Sequence, residues 1–116
     1  QNYRVGRLSQ EIQREVTDIL MKRVRDPRVQ GITITGVQVT GDLQQATIYY
    51  SILSELASDG EKTQIGLEKA KGLIRRELGS RLSIYVTPEL IFERDRSVQY
   101  GDHIDELLNK LNRPEN

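Results

Sequence analysis

Val5, Leu8, Ile12, Val16, Ile19 and Leu20 recur at three- and four-residue intervals, which predicts one apolar helix stripe about five turns long. Arg7, Arg14 and Arg25 project from the opposite face, with Arg4 and Lys22 flanking them. Asp26-Pro27 stops this helix, because proline disfavours helical geometry in the residue before it. The stretch from Asp26 to Gly31 then reads as a loop. Ile32-Thr33-Ile34 and Val37-Gln38-Val39-Thr40 alternate apolar with polar, as a half-buried strand should. The apolar phase slips by one at Gly36, which predicts a bulge. Gly41-Asp42 supplies turn chemistry, and Ala46, Ile48, Tyr50 and Ile52 alternate with Thr47, Tyr49 and Ser51 beyond it. Two adjacent strands around a short polar turn form an antiparallel hairpin.

Ser58-Asp59-Gly60-Glu61 has the spacing of a capping box, so a helix is expected next. Ile65, Ala70, Leu73, Ile74, Leu78 and Leu82 carry its apolar face. Gly66 and Gly72 weaken it by about 1 kcal/mol each relative to alanine, and a break or kink is expected at Ala70-Lys71-Gly72, giving two successive helices. Gly79 is positioned to cap the second. Leu82, Ile84, Val86, Leu90 and Phe92 hold one phase of a period-2 pattern and predict a third strand, with Pro88 marking an edge or irregularity. Ile104, Leu107, Leu108 and Leu111 mark a last amphipathic helix, with Asp102, Asp105 and Glu106 near its positive end. Three strands cannot bury themselves, so the helices must cover one face. The expected fold is α+β, in the order α-β-β-α-(kink)-α-β-α of a type II KH-like domain. One domain is expected over residues 1–116, with a core at about 4–111 and short disordered tails.

Composition narrows the chemistry. The 116 residues contain no cysteine, so disulfides and thiolate metal sites are excluded. No apolar run reaches the length of about 18 residues needed to span a membrane, and no apolar signal region opens the chain. The chain begins at Gln1 rather than methionine, and a processed or trimmed chain is expected. Basic and acidic residues number 17 each, so the total charge gives no argument for a nucleic-acid partner. Their distribution does. Residues 1–28 hold seven basic and four acidic side chains, and 69–81 hold five and one. Residues 29–68 hold one and five, and 82–116 hold four and seven. Phosphate responds to the local field within a Debye length of about 8–10 Å, not to the total.

Two sets of cations are therefore candidates for phosphate contact. Lys69, Lys71, Arg75, Arg76 and Arg81 form the first, with Arg75 and Arg76 facing away from the Ile74–Leu78–Leu82 stripe. A solvated helix face, with Glu68 and Glu77 pairing locally, explains the same pattern. Arg4, Arg7, Arg14, Lys22, Arg23, Arg25 and Arg28 form the second, with Glu11, Glu15 and Asp18 within a turn of Arg14 or Lys22. Tyr49, Tyr50 and Tyr85 are candidates for base stacking, against packing within the sheet. His103 is the single histidine and has no partners for a metal site or a catalytic triad. Glu89, Glu93, Asp95, Asp102, Asp105 and Glu106 read as a solvated acidic face rather than a catalytic pair, which needs a cleft. No metal, cofactor or catalytic residue is expected.

Several segments, in order, resemble the ribosome-binding factor A family. They are Arg4-Val5-Gly6, Asp26-Pro27-Arg28-Val29, and Ile32 through Leu43 leading into Ala46 to Ser51. Lys69-Ala70-Lys71-Gly72 with Ile74-Arg75, and Glu77-Leu78-Gly79, follow. Pro88 to Glu93, then Asp95, Ser97, Tyr100-Gly101, Ile104-Asp105 and Leu107-Leu108 close the match. The resemblance covers about residues 4–111 and implies a KH-like, cytoplasmic, non-enzymatic RNA-binding protein of bacteria. It implies the free or immature 30S subunit as partner and a role in late 16S rRNA maturation, including the 5′ end. A free monomer is expected, with no membrane and no small-molecule substrate. Ordinary KH modules clamp single strands with a Gly-x-x-Gly loop. This chain has none, and carries Ala70-Lys71-Gly72 at the expected place. Contacts are then expected from side-chain cations. The alternative is a protein-interaction module with incidental RNA affinity.

Overall fold

The computed structural model describes residues 2–53, 56–84 and 86–95. Helix α1 (Asn2–Lys22) buries Ile12, Val16, Ile19 and Leu20, the stripe that its spacing predicts. The 26–31 segment is more ordered than a loop. Pro27–Val29 form a 3-10 turn whose cap is Asp26, with its carboxylate accepting from Arg28 N at 2.9 Å. Proline at the first helical position and an aspartate cap before it favour such a turn.

Strand β1 (Thr33–Val39) pairs antiparallel with β2 (Gln45–Ser51), and the register shifts between Ile34 and Gly36, where the bulge is expected. In the connecting turn the Thr40 hydroxyl donates to Asp42 at 2.7 Å and accepts from Gln45 N at 3.0 Å. Asp42 also accepts from Gln44 N at 3.1 Å. The Thr40 hydroxyl, and after it the Gln44 amide, hold the Asp42 carboxyl below its ordinary value. Strand β3 (Glu89–Arg94) lies parallel to β2 on its other side, so the sheet order is β1-β2-β3. A parallel pair needs a crossover, and α2 (Ala57–Leu82) supplies it. Ala46, Ile48, Tyr50, Leu90 and Phe92 point to the covered face, where both helices pack. This is the α+β, KH-like arrangement, with the helices on one face of a three-stranded sheet.

Several expected details differ. Helix α2 is unbroken, so Ala70-Lys71-Gly72 does not divide it into two helices. Thr63, Leu67, Ile74 and Leu78 make one buried face through that point, and this packing offsets the weak propensity of the glycines. Leu56, not Ser58, is the N-cap, with no side-chain cap bond, so the capping box is not used. The C-cap is Ser83, in the left-handed region at φ 52°, and Gly79 lies inside the helix. A side chain at Gly79 would meet Thr87 Oγ1 at 2.5 Å, so close approach explains this glycine. Gly66 packs likewise on the 3-10 turn, where a Cβ would sit 2.9 Å from Val29 Cγ1 and 3.2 Å from Arg28 Cβ. The third strand begins at Glu89 rather than Leu82, because α2 continues through Leu82. Pro88 sits buried just before that strand. The last helix, with Ile104 to Leu111, lies outside the described residues, as do Tyr85 and His103.

Candidate nucleic-acid interface

The two helices run side by side and are tied by ions along their seam. Arg81 Nη1 on α2 donates to Asp18 at 2.6 Å and Glu15 at 3.2 Å on α1, and its Nε lies 3.6 Å from Glu77. Arg23 reaches Glu77 at 3.3 Å, and Lys22 reaches Asp18 at 3.1 Å. Arg81 first, then Lys22, holds the Asp18 carboxyl below its ordinary range, and Asp18 with Glu15 raises Arg81 in return. Further along, Asp26 and Arg28 form a forked pair beside Gly66. The Arg28 guanidinium beside Asp26 pushes its carboxyl down to about 2, with Lys69 adding a weaker long-range attraction.

These contacts divide the candidate cations. Arg81 and Arg28 are half-buried and held by internal carboxylates. Lys71 pairs with Glu68 at 2.8 Å. Arg75 is also committed. Its Nε donates to Pro88 O at 3.0 Å and its Nη2 to Thr87 O at 2.7 Å, so it fastens the segment entering β3 rather than facing a partner. Arg7, Arg14 and Lys22 have carboxylate neighbours at 3.9, 3.5 and 3.1 Å and stay largely exposed, at 69%, 73% and 66%. Such surface pairs are worth little and give way readily to a stronger anion. Arg4, Arg25, Lys69 and Arg76 are exposed with no ion pair or hydrogen bond among the described residues. So is Lys62, which sequence reasoning passed over. Its signal was the seven-residue interval Lys62–Lys69–Arg76, two helix turns at each step.

The fold brings some of these together. Gly66 packs on the turn that carries Arg28, so the basic end of α1 lies beside the middle of α2, near Lys69. The seam matches residues 15–23, the end of α1 and the residue after it, with 77–81 of α2, so the helices run antiparallel. Arg7 and Arg4 therefore lie about 12–16 Å further along α1 than Glu15. They belong to the far end of the helix pair, beyond the α2 stripe.

The two tyrosines among the described strands, Tyr49 and Tyr50, do not form a stacking platform. Tyr50 is buried, and its hydroxyl donates to Gln64, which in turn donates to Phe92 O at 3.0 Å. Tyr49 is half-buried on the sheet face away from the helices, with its hydroxyl 3.3 Å from Gln38. Asp95 accepts from Thr35 Oγ1 at 2.6 Å and so ties the bulge to the end of β3. No cluster of three or more metal-ligating side chains occurs among the described residues. None of their helices is long and apolar enough to cross a membrane.

A family model described as Ribosome-binding factor A matches residues 4–108. A relative of that name from Levilactobacillus brevis is 79% identical over 109 residues, covering 94% of each chain. One from Enterococcus faecalis is 75% identical over 114 residues, covering 98% of each. Among solved structures, the Thermotoga maritima protein described as a putative ribosome binding factor A aligns with TM-score 0.70 at 30% identity. That alignment covers 80% of this chain and 88% of the other. A Thermus thermophilus ribosome binding factor A homology model, fitted into the cryo-EM map of a 30S complex, aligns with TM-score 0.58 at 20% identity. It covers 79% of this chain and 91% of that one, and at this identity it speaks to the fold alone. The match over nearly the whole length, at such identity to several relatives, makes this chain a member of the ribosome-binding factor A family.

Proposed function

We propose that this protein is a non-enzymatic assembly factor that docks on the immature 30S subunit in the bacterial cytoplasm. It grips folded 16S rRNA and promotes late maturation, including that of the 5′ end. The observation that carries this reading is the set of exposed cations with no ion pair or hydrogen bond among the described residues, Arg4, Arg25, Lys62, Lys69 and Arg76, in a chain of zero net charge. Fold and family membership support it, as does the 30S complex of the Thermus thermophilus protein. Docking stabilises the rRNA conformation it fits best, because a ligand shifts an equilibrium only through differential affinity. The internally paired cations, Arg28, Arg75 and Arg81, shape the surface, and the unpaired ones bind phosphate.

The test is 30S binding measured against salt, for the parent chain and for Lys69→Gln with Arg76→Gln. The parent affinity should fall steeply, with a slope of about −0.7 to −0.9 per neutralised phosphate. The double variant should bind more weakly and with a shallower slope. A protein-interaction module predicts instead that affinity barely changes with salt or with the two substitutions.

A further inference from the structure

We propose that the uncovered face of the sheet is a docking surface for an extended, arginine- and lysine-rich segment of another protein. This goes beyond the RNA-binding reading, which concerns the helices, and stands or falls separately from it.

Side chains alternate along a strand, so strands that send Ile34, Ile48 and Leu90 toward the helices send their alternate residues the other way. The register sets these in rows. Gln38, Thr47 and Ile91 form one row, and Gly36, Tyr49 and Glu93 form the next. Gln45 and Glu89 extend the face at one end. At the other end Ser51 pairs with Thr33, and Asp95 is tied to Thr35 at 2.6 Å.

The charge of this face has one sign. Residues 33–51, which make β1, β2 and the turn between them, contain no lysine or arginine. Arg94 is the one cation of β3, and it points into the helix layer, since a Cβ on Gly60 of α2 would meet its Nη1 at 2.7 Å. Glu89 and Glu93 are exposed. The cations Lys62, Lys69 and Arg76 stand on α2, in the layer on the opposite face.

Tyr49 gives the face a specific seat for a cation. It is half-buried and stands beside Glu93, one strand spacing of about 4.8 Å away. Across from it Gly36 has no side chain, and a Cβ there would meet nothing within 4 Å. A guanidinium laid on the ring is attracted by its π face, and Glu93 can accept its donors in a fork. Thr47 and Ile91 in the next row offer apolar surface to the aliphatic stem.

The same features choose among occupants. Glu89 and Glu93 repel phosphate, and no cation stands beside Tyr49 on this face to hold an RNA backbone. A second copy of the face would set glutamate against glutamate. The last segment of this chain fits no better, because Asp102, Asp105 and Glu106 would meet the same carboxylates. A basic, extended segment complements both the charge and the ring.

The experiment titrates the ¹⁵N-labelled full chain with a short arginine- and lysine-rich peptide. The amides of residues 38, 47, 49, 91 and 93 should shift together and saturate. No response there, or a response confined to the helices, overturns the proposal. Glu89→Gln with Glu93→Gln should weaken peptide binding about tenfold. Tyr49→Leu should weaken it as well, while Tyr49→Phe binds as the parent does. Glu11→Gln with Glu61→Gln removes the same charge from the helices and should leave the affinity unchanged. An equal loss in that control means diffuse attraction and overturns the proposal, as does parent affinity in the Glu89 and Glu93 double variant or in Tyr49→Leu. A short RNA duplex should leave these amides in place, and a shift of them by RNA overturns the assignment to a protein partner.

Discussion

Arg75 and Arg76 are neighbours in a basic cluster, yet the first is held by backbone carbonyls and the second is exposed. Replacing Arg75 with alanine removes two hydrogen bonds from a charged donor to the Thr87 and Pro88 carbonyls, at 2.7 and 3.0 Å. Bonds of this kind contribute about 1.5–3 kcal/mol each when buried. The side chain is only half-buried, so water replaces part of the interaction, and a total loss of about 2 kcal/mol is expected. The consequence spreads, because Glu89 N donates to Gln44 O at 2.8 Å just after the fastened segment, where β3 enters the sheet. For a domain of this size the loss lowers the melting temperature by about 8 °C. Arg76→Ala, at an exposed site with no ion pair or hydrogen bond among the described residues, should stay within about 0.5 kcal/mol of the parent. Thermal and urea unfolding of both variants give the comparison, with Arg75→Lys as an intermediate, since lysine offers a point charge in place of a fork. Equal melting temperatures for Arg75→Ala and the parent would refute the reasoning, as would an equal loss in Arg76→Ala.

Other outcomes follow from the same geometry. Gly66→Ala should destabilise by about 1–2 kcal/mol, because overpacking against Val29 outweighs the gain in helix propensity, and Val29→Ala in the same chain should relieve it in urea unfolding. Ser83→Gly should add about 0.5–1 kcal/mol by relieving the left-handed C-cap, read as a higher urea midpoint. Asp26 has its folded pKa lowered from 3.8 to about 2, so its pairing with Arg28 stabilises fully above the unfolded value and is lost as pH falls through the folded one. Asp26→Asn should thus be less stable at neutral pH and show a shallower loss from about pH 4 to 2 in urea unfolding. An unchanged acid slope would contradict that pairing. Arg81→Gln should lower the melting temperature at low salt and lose part of the salt sensitivity that the parent shows, since the ion seam is open to screening.

Local pattern carried much of this fold. The Ile12–Leu20 stripe, the hairpin and the slip at Gly36 depend on neighbours within a few residues, and each lies where its spacing puts it. What failed depended on partners distant in sequence. In sequence Gly66 reads as a weak point in the helix and Gly79 as a cap, and only the fold sets Val29 and Thr87 against them. The apolar alternation from Leu82 to Val86 imitates a strand, but α2 keeps Leu82 because its buried face continues through Leu78. The candidate cations were recognisable as basic residues, yet their roles were not. Whether an arginine is free depends on carboxylates and carbonyls that only the fold brings near, as Glu15 and Asp18 are brought to Arg81.

The central claim is that rRNA meets the unpaired cations while the paired ones keep their internal partners. An image of the full chain bound to an immature 30S subunit, at side-chain detail, tests it most directly. Lys62, Lys69 and Arg76 should lie against rRNA phosphates, with Arg75 still on the Thr87 and Pro88 carbonyls and Arg81 still between Glu15 and Asp18. A complex in which the outer face of α2 points to solvent, or rests on a ribosomal protein, contradicts the account.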